Sequence, residues 1–207
     1  MEIKVCGLKV EDNIRQVIDL GVDYIGLNFY KPSPRYVEPD VTFAAFIKTL
    51  TVQKVGVFVN ESIQTIKEIS QLFGLDYIQL HGHENDAFIE ECLTVGKVIQ
   101  VVGVNGPEDL EDLKINEGVS YLLFDKKSPL YGGTGIKFDW NWLELYNGQK
   151  PFLLAGGIGP DDIDSIQNID HELFIGLDLN SKFESEPGIK DVQLLDPFLK
   201  KLFKEQI

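Results

Sequence analysis

The chain is expected to fold as a single closed (β/α)8 barrel of the α/β class, with residues 1–207 forming one domain. Three observations predict this. Apolar strand-like runs alternate with amphipathic helical patterns from end to end, at spacings of about 20–30 residues, which is the signature of a parallel sheet. The runs are apolar on successive positions, as strands buried on both faces must be. The unit recurs eight times with no chain left over for a second domain, which favours closure over an open sheet.

The strand candidates are 3–6, 23–29, 54–59, 76–80, 97–103, 120–125, 152–155 and 173–177. Amphipathic stretches at 10–20, 40–50, 61–73, 84–95, 107–115, 139–147 and 160–168 separate them, and an eighth at 191–205 closes the chain. Asn60 is placed to cap the third helix. Pro107 and Pro160 stand where a first helical turn tolerates proline, and Gly21, Gly74 and Gly96 stand where helices would stop. At 207 residues the chain is lean for this fold, whose usual size is about 250.

Composition narrows the function classes. Net charge is −14, from 33 acidic and 19 basic residues. Such a surface repels nucleic acid and anionic membrane, so neither is an expected partner. An anionic ligand would need a local exception, supplied by backbone N–H groups, helix N-termini or a placed arginine. Two cysteines, Cys6 and Cys92, make neither a disulfide framework nor a zinc cluster. No set of His, Cys and carboxylate residues has metal-ligand spacing. No signal-like segment precedes the first strand and no apolar stretch approaches the ~20 residues of a membrane helix. The expectation is a soluble, cytoplasmic protein.

Chemically distinctive residues gather just after the strands, where barrel enzymes build their sites. Cys6 closes the run Ile3-Lys4-Val5-Cys6 and Gly7 follows. A thiol there is a candidate base or nucleophile, or a small buried core residue. Asp125 ends the sixth strand and pairs naturally with it as an acid, if burial raises its pKa; the alternative is a helix cap. Arg35, in Lys31-Pro32-Ser33-Pro34-Arg35, suits bidentate carboxylate recognition or a surface ion pair. His81, in His81-Gly82-His83-Glu84, lines the site or serves the structure. Gly156 and Gly157 follow the seventh strand, and Asp178-Leu179-Asn180-Ser181 the eighth. These last two loops are where barrels often hold phosphate on backbone N–H groups, although paired glycines also serve tight turns.

Taken in order, the segments resemble the phosphoribosylanthranilate isomerase family of tryptophan biosynthesis. The resemblance rests on Lys4-Val5-Cys6-Gly7, Tyr24-Ile25-Gly26-Leu27-Asn28-Phe29 with Ser33-Pro34-Arg35, Val55-Gly56-Val57-Phe58-Val59-Asn60 and Ile78-Gln79-Leu80-His81-Gly82. It continues through Leu123-Phe124-Asp125, Gly132-Gly133-Thr134-Gly135 with Phe138-Asp139-Trp140, Leu154-Ala155-Gly156-Gly157 and Gly188-Ile189-Lys190-Asp191. It implies a (β/α)8 barrel of the ribulose-phosphate-binding type and an Amadori rearrangement of a phosphosugar, with no metal or organic cofactor. Carried over, Cys6 is the general base and Asp125 the general acid. Arg35 meets the substrate carboxylate, with His81, Gly133 and Asp178 also at the substrate. Gly156, Gly157, Asn180 and Ser181 hold the phosphate, and the loop 127–135 closes over the site. Monomers and homodimers are both compatible with the resemblance.

One segment departs from the pattern: Asp178-Leu179-Asn180-Ser181-Lys182-Phe183-Glu184 stands where the family usually has Asp-Val-Ser-Ser-Gly-Val-Glu, so Lys182 replaces a glycine. The sugar isomerases of the histidine pathway share the rearrangement but typically use two aspartates, which Cys6 argues against. Indole-glycerol-phosphate synthase has a lysine and glutamate pattern missing here. A non-catalytic phosphosugar-binding barrel is a third reading, opposed by Cys6, Asp125 and Arg35 together.

Overall fold

Alternation of side chains along a strand sends odd and even residues to opposite faces, and here that rule separates two apolar layers. A computed structural model describes residues 1–111, 113–127 and 137–204. Strands β1 (Glu2–Cys6), β2 (Tyr24–Asn28), β3 (Gln53–Phe58), β4 (Tyr77–Leu80), β5 (Lys97–Val104), β6 (Tyr121–Lys126), β7 (Phe152–Leu154) and β8 (Phe174–Leu179) pair in sequence order, all parallel, and close into a barrel. Helices α1 (Glu11–Ile18), α2 (Val41–Lys48), α3 (Ile63–Phe73), α4 (Asp86–Leu93), α5 (Ile163–Gln167) and α6 (Val192–Lys204) cover it. A short antiparallel hairpin, β9 (Glu184–Glu186) with β10 (Ile189–Lys190), follows β8.

The layer between barrel and helices includes Ile3, Val5, Ile78, Leu80, Leu122, Phe124, Leu177 and Leu179. Inside the barrel a second cluster gathers Tyr24, Val55, Tyr77, Ile99, Leu123, Leu153 and Ala155. Aromatic rings fill the lumen toward the strand N-termini. Tyr77 meets Tyr24 edge-on and stacks on Tyr121, and the Tyr24 hydroxyl donates to Glu2 at 2.7 Å. That end is a packed floor. The same parity puts Lys4, Cys6, Gln79, His81 and Asp125 on the lumen face, toward the opposite end, where Asp178 joins them.

Asp178 owes its direction to an irregularity. Phe152 pairs with Phe174, but Leu153 pairs with Gly176, so β8 carries one extra residue at Ile175. A bulge of this kind reverses the face of everything beyond it. It requires Gly176, because a Cβ there would sit 2.1 Å from the Glu2 carbonyl. The strand also runs to Leu179 rather than stopping at 177, so Asp178 lies within β8 instead of after it.

The expected fifth and sixth helices are largely absent. Residues 107–109 make one 3₁₀ turn after β5, and 140–145 make a 3₁₀ helix before β7. In the first, the Asp109 carboxylate accepts from the N–H groups of Asn105 and Gly106 at 2.7 and 3.2 Å, closing the turn on itself. In the second, the large side chains repeat every third residue, Trp140, Leu143 and Tyr146, which matches three residues per turn and buries Leu143 and Tyr146. Helix α5 starts at Ile163, leaving Pro160 in the preceding turn. Ser62, not Asn60, caps α3 by accepting from Thr65 N–H at 3.1 Å. Asn60 instead takes a left-handed conformation, φ 49°, and its side chain accepts from His83 N–H. Among the described residues no helix is long and apolar enough to cross a membrane.

Candidate active site

Cys6 lies at the end of β1, buried, with its thiol on the lumen face. Across the β1–β2 pairing stands Gly26. A Cβ on Gly26 would lie 2.7 Å from Cys6 Sγ and 3.0 Å from its Cα, so only glycine leaves the thiol its place. One pleat below, Lys4 is fully buried and forms a 2.9 Å ion pair with Asp178 of β8. Asp125 extends from β6, 9% exposed. His81 Nε2 lies 3.5 Å from Asp125 Oδ2.

Burial and neighbouring charge settle the protonation states. Burial pushes the Cys6 thiol up, and the Lys4 ammonium partly opposes this. Asp125 is pushed up to about 7, first by burial and then by the charge of Asp178. Lys4 is disfavoured as a cation by burial, but Asp178 and Cys6 outweigh that and raise its pKa; burial raises Asp178 as well, with Lys4 opposing it, and the 2.9 Å contact favours the ionised pair. His81 is lowered to about 4 by burial, with the Lys4 charge adding to it. Its imidazole is therefore neutral near pH 7, and at 3.5 Å it is a polar wall beside Asp125 rather than an ionic partner. A carboxyl pushed up to about 7 in a lumen that also holds a thiol is a pattern suited to acid and base chemistry.

Gly156 and Gly157 follow β7 with φ of 86° and 69°, both left-handed. A Cβ on Gly156 would meet Asp125 Oδ1 at 2.8 Å and Lys126 N at 2.9 Å. The β7 loop thus lies directly on the carboxyl. It continues to Gly159, whose N–H donates to the buried Asp162 at 2.7 Å. After β8, Ser181–Phe183 make a 3₁₀ turn anchored by buried Phe183. Lys182 is exposed there, and a Cβ on Gly159 would be 3.6 Å from Lys182 Cβ, which brings the β7 and β8 loops side by side. Gly133 and most of the loop 127–135 lie outside the described residues.

Arg35 sits in the loop after β2, and Gly7 packs beneath it, for a Cβ on Gly7 would lie 2.6 Å from Arg35 Cδ. Its guanidinium is bound by Glu184 of β9. The structure thus brings Cys6, Asp125, His81 and Asp178 together in the lumen, and Arg35 and Asn180 to its rim beside Gly7. Sequence reading assigned no role to Lys4, Gly26 or Glu184. Lys4 had a signal, a lone charge inside a strand apolar on both sides. Gly26 and Glu184 act through contacts distant in sequence, and their only signal was a place in segments compared with the family pattern. Among the described residues no group of His, Cys, Asp and Glu is placed to hold a metal ion.

The chain is similar to known proteins along nearly its whole length. The family model described as N-(5'phosphoribosyl)anthranilate (PRA) isomerase matches residues 3–201. An N-(5'-phosphoribosyl)anthranilate isomerase of Parabacteroides distasonis is 43% identical over 98% of this chain and 93% of its own. The crystal structure of the phosphoribosyl anthranilate isomerase from Thermus thermophilus superposes with a TM-score of 0.85 at 26% identity, covering 99% of this chain and 100% of that one. Another phosphoribosyl anthranilate isomerase structure, in complex with reduced 1-(o-carboxyphenylamino)-1-deoxyribulose 5-phosphate, gives 0.79 at 27% identity over 98% of both chains.

Proposed function

The chain belongs to the N-(5'-phosphoribosyl)anthranilate isomerase family, and from that premise we propose how its own residues carry the reaction. The reaction is the Amadori rearrangement of N-(5-phosphoribosyl)anthranilate to 1-(2-carboxyphenylamino)-1-deoxyribulose 5-phosphate, a step of tryptophan biosynthesis. Asp125 donates its proton to the furanose ring oxygen. The bond from that oxygen to C1 breaks, and the nitrogen lone pair forms the C1–N double bond of a protonated Schiff base. Cys6, as thiolate, takes the C2 proton, and the electrons of that bond move into C1–C2 while the iminium is neutralised to an enolamine. Tautomerisation then yields the ketone.

The observation that carries this reading is the carboxyl of Asp125, pushed up to about 7, in the lumen that also holds Cys6. It retains a proton to give at neutral pH, where an ordinary aspartate has none. The thiol presents the opposite difficulty, since burial raises it. Three cations help its ionised form: Lys4 below, Lys190, and the iminium that ring opening creates beside C2. An opposite charge within a few ångströms favours the charged form of an acid. The thiol gives its proton to solvent, and the iminium formed on ring opening then favours the thiolate. Arg35 takes the anthranilate carboxylate, and the β7 and β8 loops take the phosphate on backbone N–H groups of Gly156, Gly157, Asn180 and Ser181. His81 and Asp178 line the wall between them.

The test is turnover of freshly prepared phosphoribosylanthranilate, followed by loss of anthranilate-type fluorescence, with Cys6→Ser beside the wild type. Removing a general base typically costs about 10²–10⁴-fold, and a hydroxyl is a far weaker base than a thiolate. Wild-type turnover with a Cys6→Ser loss of that size is the expected result. Wild-type inactivity would overturn the activity, and an unimpaired Cys6→Ser would remove Cys6 from it.

A further inference from the structure

Arg35 is held along one edge. Its Nε donates to both oxygens of Glu184 at 2.9 and 3.0 Å, and Nη2 donates to Oε2 at 2.6 Å. Glu184 is itself fixed from the other side. Lys190 Nζ donates to Oε1 at 2.6 Å and the Gly188 N–H donates to the same oxygen at 3.1 Å. Lys190 also donates to Asn180 Oδ1 at 2.8 Å, tying the cluster to the loop after β8. Asn13 of α1 grips the Lys190 backbone in both directions, at 2.7 and 2.8 Å. The three charged side chains are 10%, 4% and 0% exposed for Arg35, Glu184 and Lys190.

Two consequences follow from elementary chemistry. A guanidinium is a rigid planar fork, so fixing its Nε–Nη2 edge fixes where the Nη1 edge points. Among the described residues, Nη1 has no such partner. Charge is also concentrated there: Arg35 and Lys190 meet at one carboxylate, and burial lowers the Lys190 pKa. A second carboxylate arriving on the Nη1 edge would complete the fork.

We propose that Glu184 is a positioning residue that sets substrate specificity. Held by Lys190 and the β9–β10 hairpin, it aims the Nη1 edge of Arg35 so that the site selects an N-aryl ribosylamine phosphate bearing a ring carboxylate. This rests on the reading that Arg35 meets that carboxylate. Glu184 touches no reacting atom and acts only through Arg35.

The experiment compares two substrates on the full chain: phosphoribosylanthranilate and the N-glycoside formed from aniline and ribose 5-phosphate, which lacks the carboxylate. Products are separated by chromatography for the wild type, Arg35→Ala, Glu184→Gln and Glu184→Asp, with Tm recorded for each. Glu184→Gln is expected to raise KM for the carboxylated substrate about tenfold, the cost of one well-aimed charged hydrogen bond. It should leave kcat nearly unchanged and KM for the aniline glycoside unaffected. Glu184→Asp, which keeps the charge on a shorter arm, should give the same discrimination at smaller size, and decides the matter if the glutamine variant does not fold. Equal KM changes for both substrates, or none, while Arg35→Ala still discriminates, would make Glu184 merely structural and overturn the proposal. Absence of discrimination in Arg35→Ala would instead overturn the carboxylate reading of Arg35, and the proposal with it.

Discussion

Gly26→Ala tests whether the position of the Cys6 thiol, rather than its mere presence, sets the rate. The added methyl would lie 2.7 Å from Cys6 Sγ, 3.0 Å from its Cα and 3.2 Å from its Cβ. Unstrained heavy-atom contacts fall at about 3.5–4.0 Å, so about 1 Å of separation has to be found. Turning the thiol to another rotamer relieves only one of the three contacts. The backbones cannot simply part, because Gly26 O accepts from the N–H groups of Gly7 and Leu8 at 2.9 and 3.1 Å. The strain therefore moves the Cys6 side chain. A misplacement of about 1 Å in a catalytic constellation costs on the order of 10² in rate. Overpacking by one methyl costs about 1–3 kcal/mol of stability, and each kcal/mol lowers Tm by about 2–4 °C at this chain length.

The expected outcome is thus a folded protein, a few degrees less stable, with kcat down about a hundredfold and KM nearly unchanged. Steady-state fluorescence kinetics and a thermal melt read the two effects separately. Gly96→Ala is the control. Its methyl would meet nothing closer than Ile78 Cδ1 at 3.7 Å, an ordinary contact, and it should leave kcat alone. A Gly26→Ala enzyme with wild-type kcat and a lowered Tm would refute the reasoning, because the thiol would have moved without consequence.

Two further perturbations act on the charges. With the Asp125 carboxyl pushed up to about 7, kcat should fall as pH rises through 7, and Asp125→Asn should both lose this limb and slow the reaction by about 10²–10⁴-fold. The same residue carries a stability cost: the folded state binds the proton more tightly than the unfolded state, so stability declines as pH rises from its ordinary 3.8 to about 7. Asp125→Asn should therefore resist urea better at pH 8, by at most about 4 kcal/mol, and gain nothing at pH 3. An equal gain at both would show that the carboxyl is not strained by its ionisation. Lys4→Met leaves Asp178 charged and buried without its partner, a loss of about 3–5 kcal/mol, and the double variant with Asp178→Asn should recover most of it; destabilisation by the double variant equal to that of Lys4→Met would mean the pair is not what Lys4 supports.

What was legible in the sequence follows from how a parallel barrel converts chain position into place. A residue at a strand's C-terminal end, on the parity opposite to its apolar neighbours, must face the mouth of the lumen. Cys6 after Val5 and Asp125 after Phe124 satisfy that rule, and it needs no contact distant in sequence. His81 after Leu80 does as well. The rule fails where a strand breaks period. Asp178 shares its parity with Phe174, which packs outward, and it faces inward only because Ile175 is an extra residue in β8. Nothing in Phe174-Ile175-Gly176-Leu177 announces that bulge except the glycine.

The rule also says nothing about loops. Arg35 was legible as a cation between a pair of prolines and Tyr36, but its partner lies 149 residues away. Lys190 was legible only as part of Gly188-Ile189-Lys190-Asp191 and Glu184 only as the end of the segment after the eighth strand; neither announced the contact that the β9–β10 hairpin creates. The two missing helices fail for a related reason. Amphipathic spacing of three and four residues suits both α and 3₁₀ geometry, and the choice at 140–145 falls to the packing of Leu143 and Tyr146 on the barrel. The groups proposed to react are thus written in strand parity, a local property. The groups proposed to orient the substrate sit in loops and depend on closure of the whole chain, since Arg35 belongs to the second βα unit and Glu184 to the last.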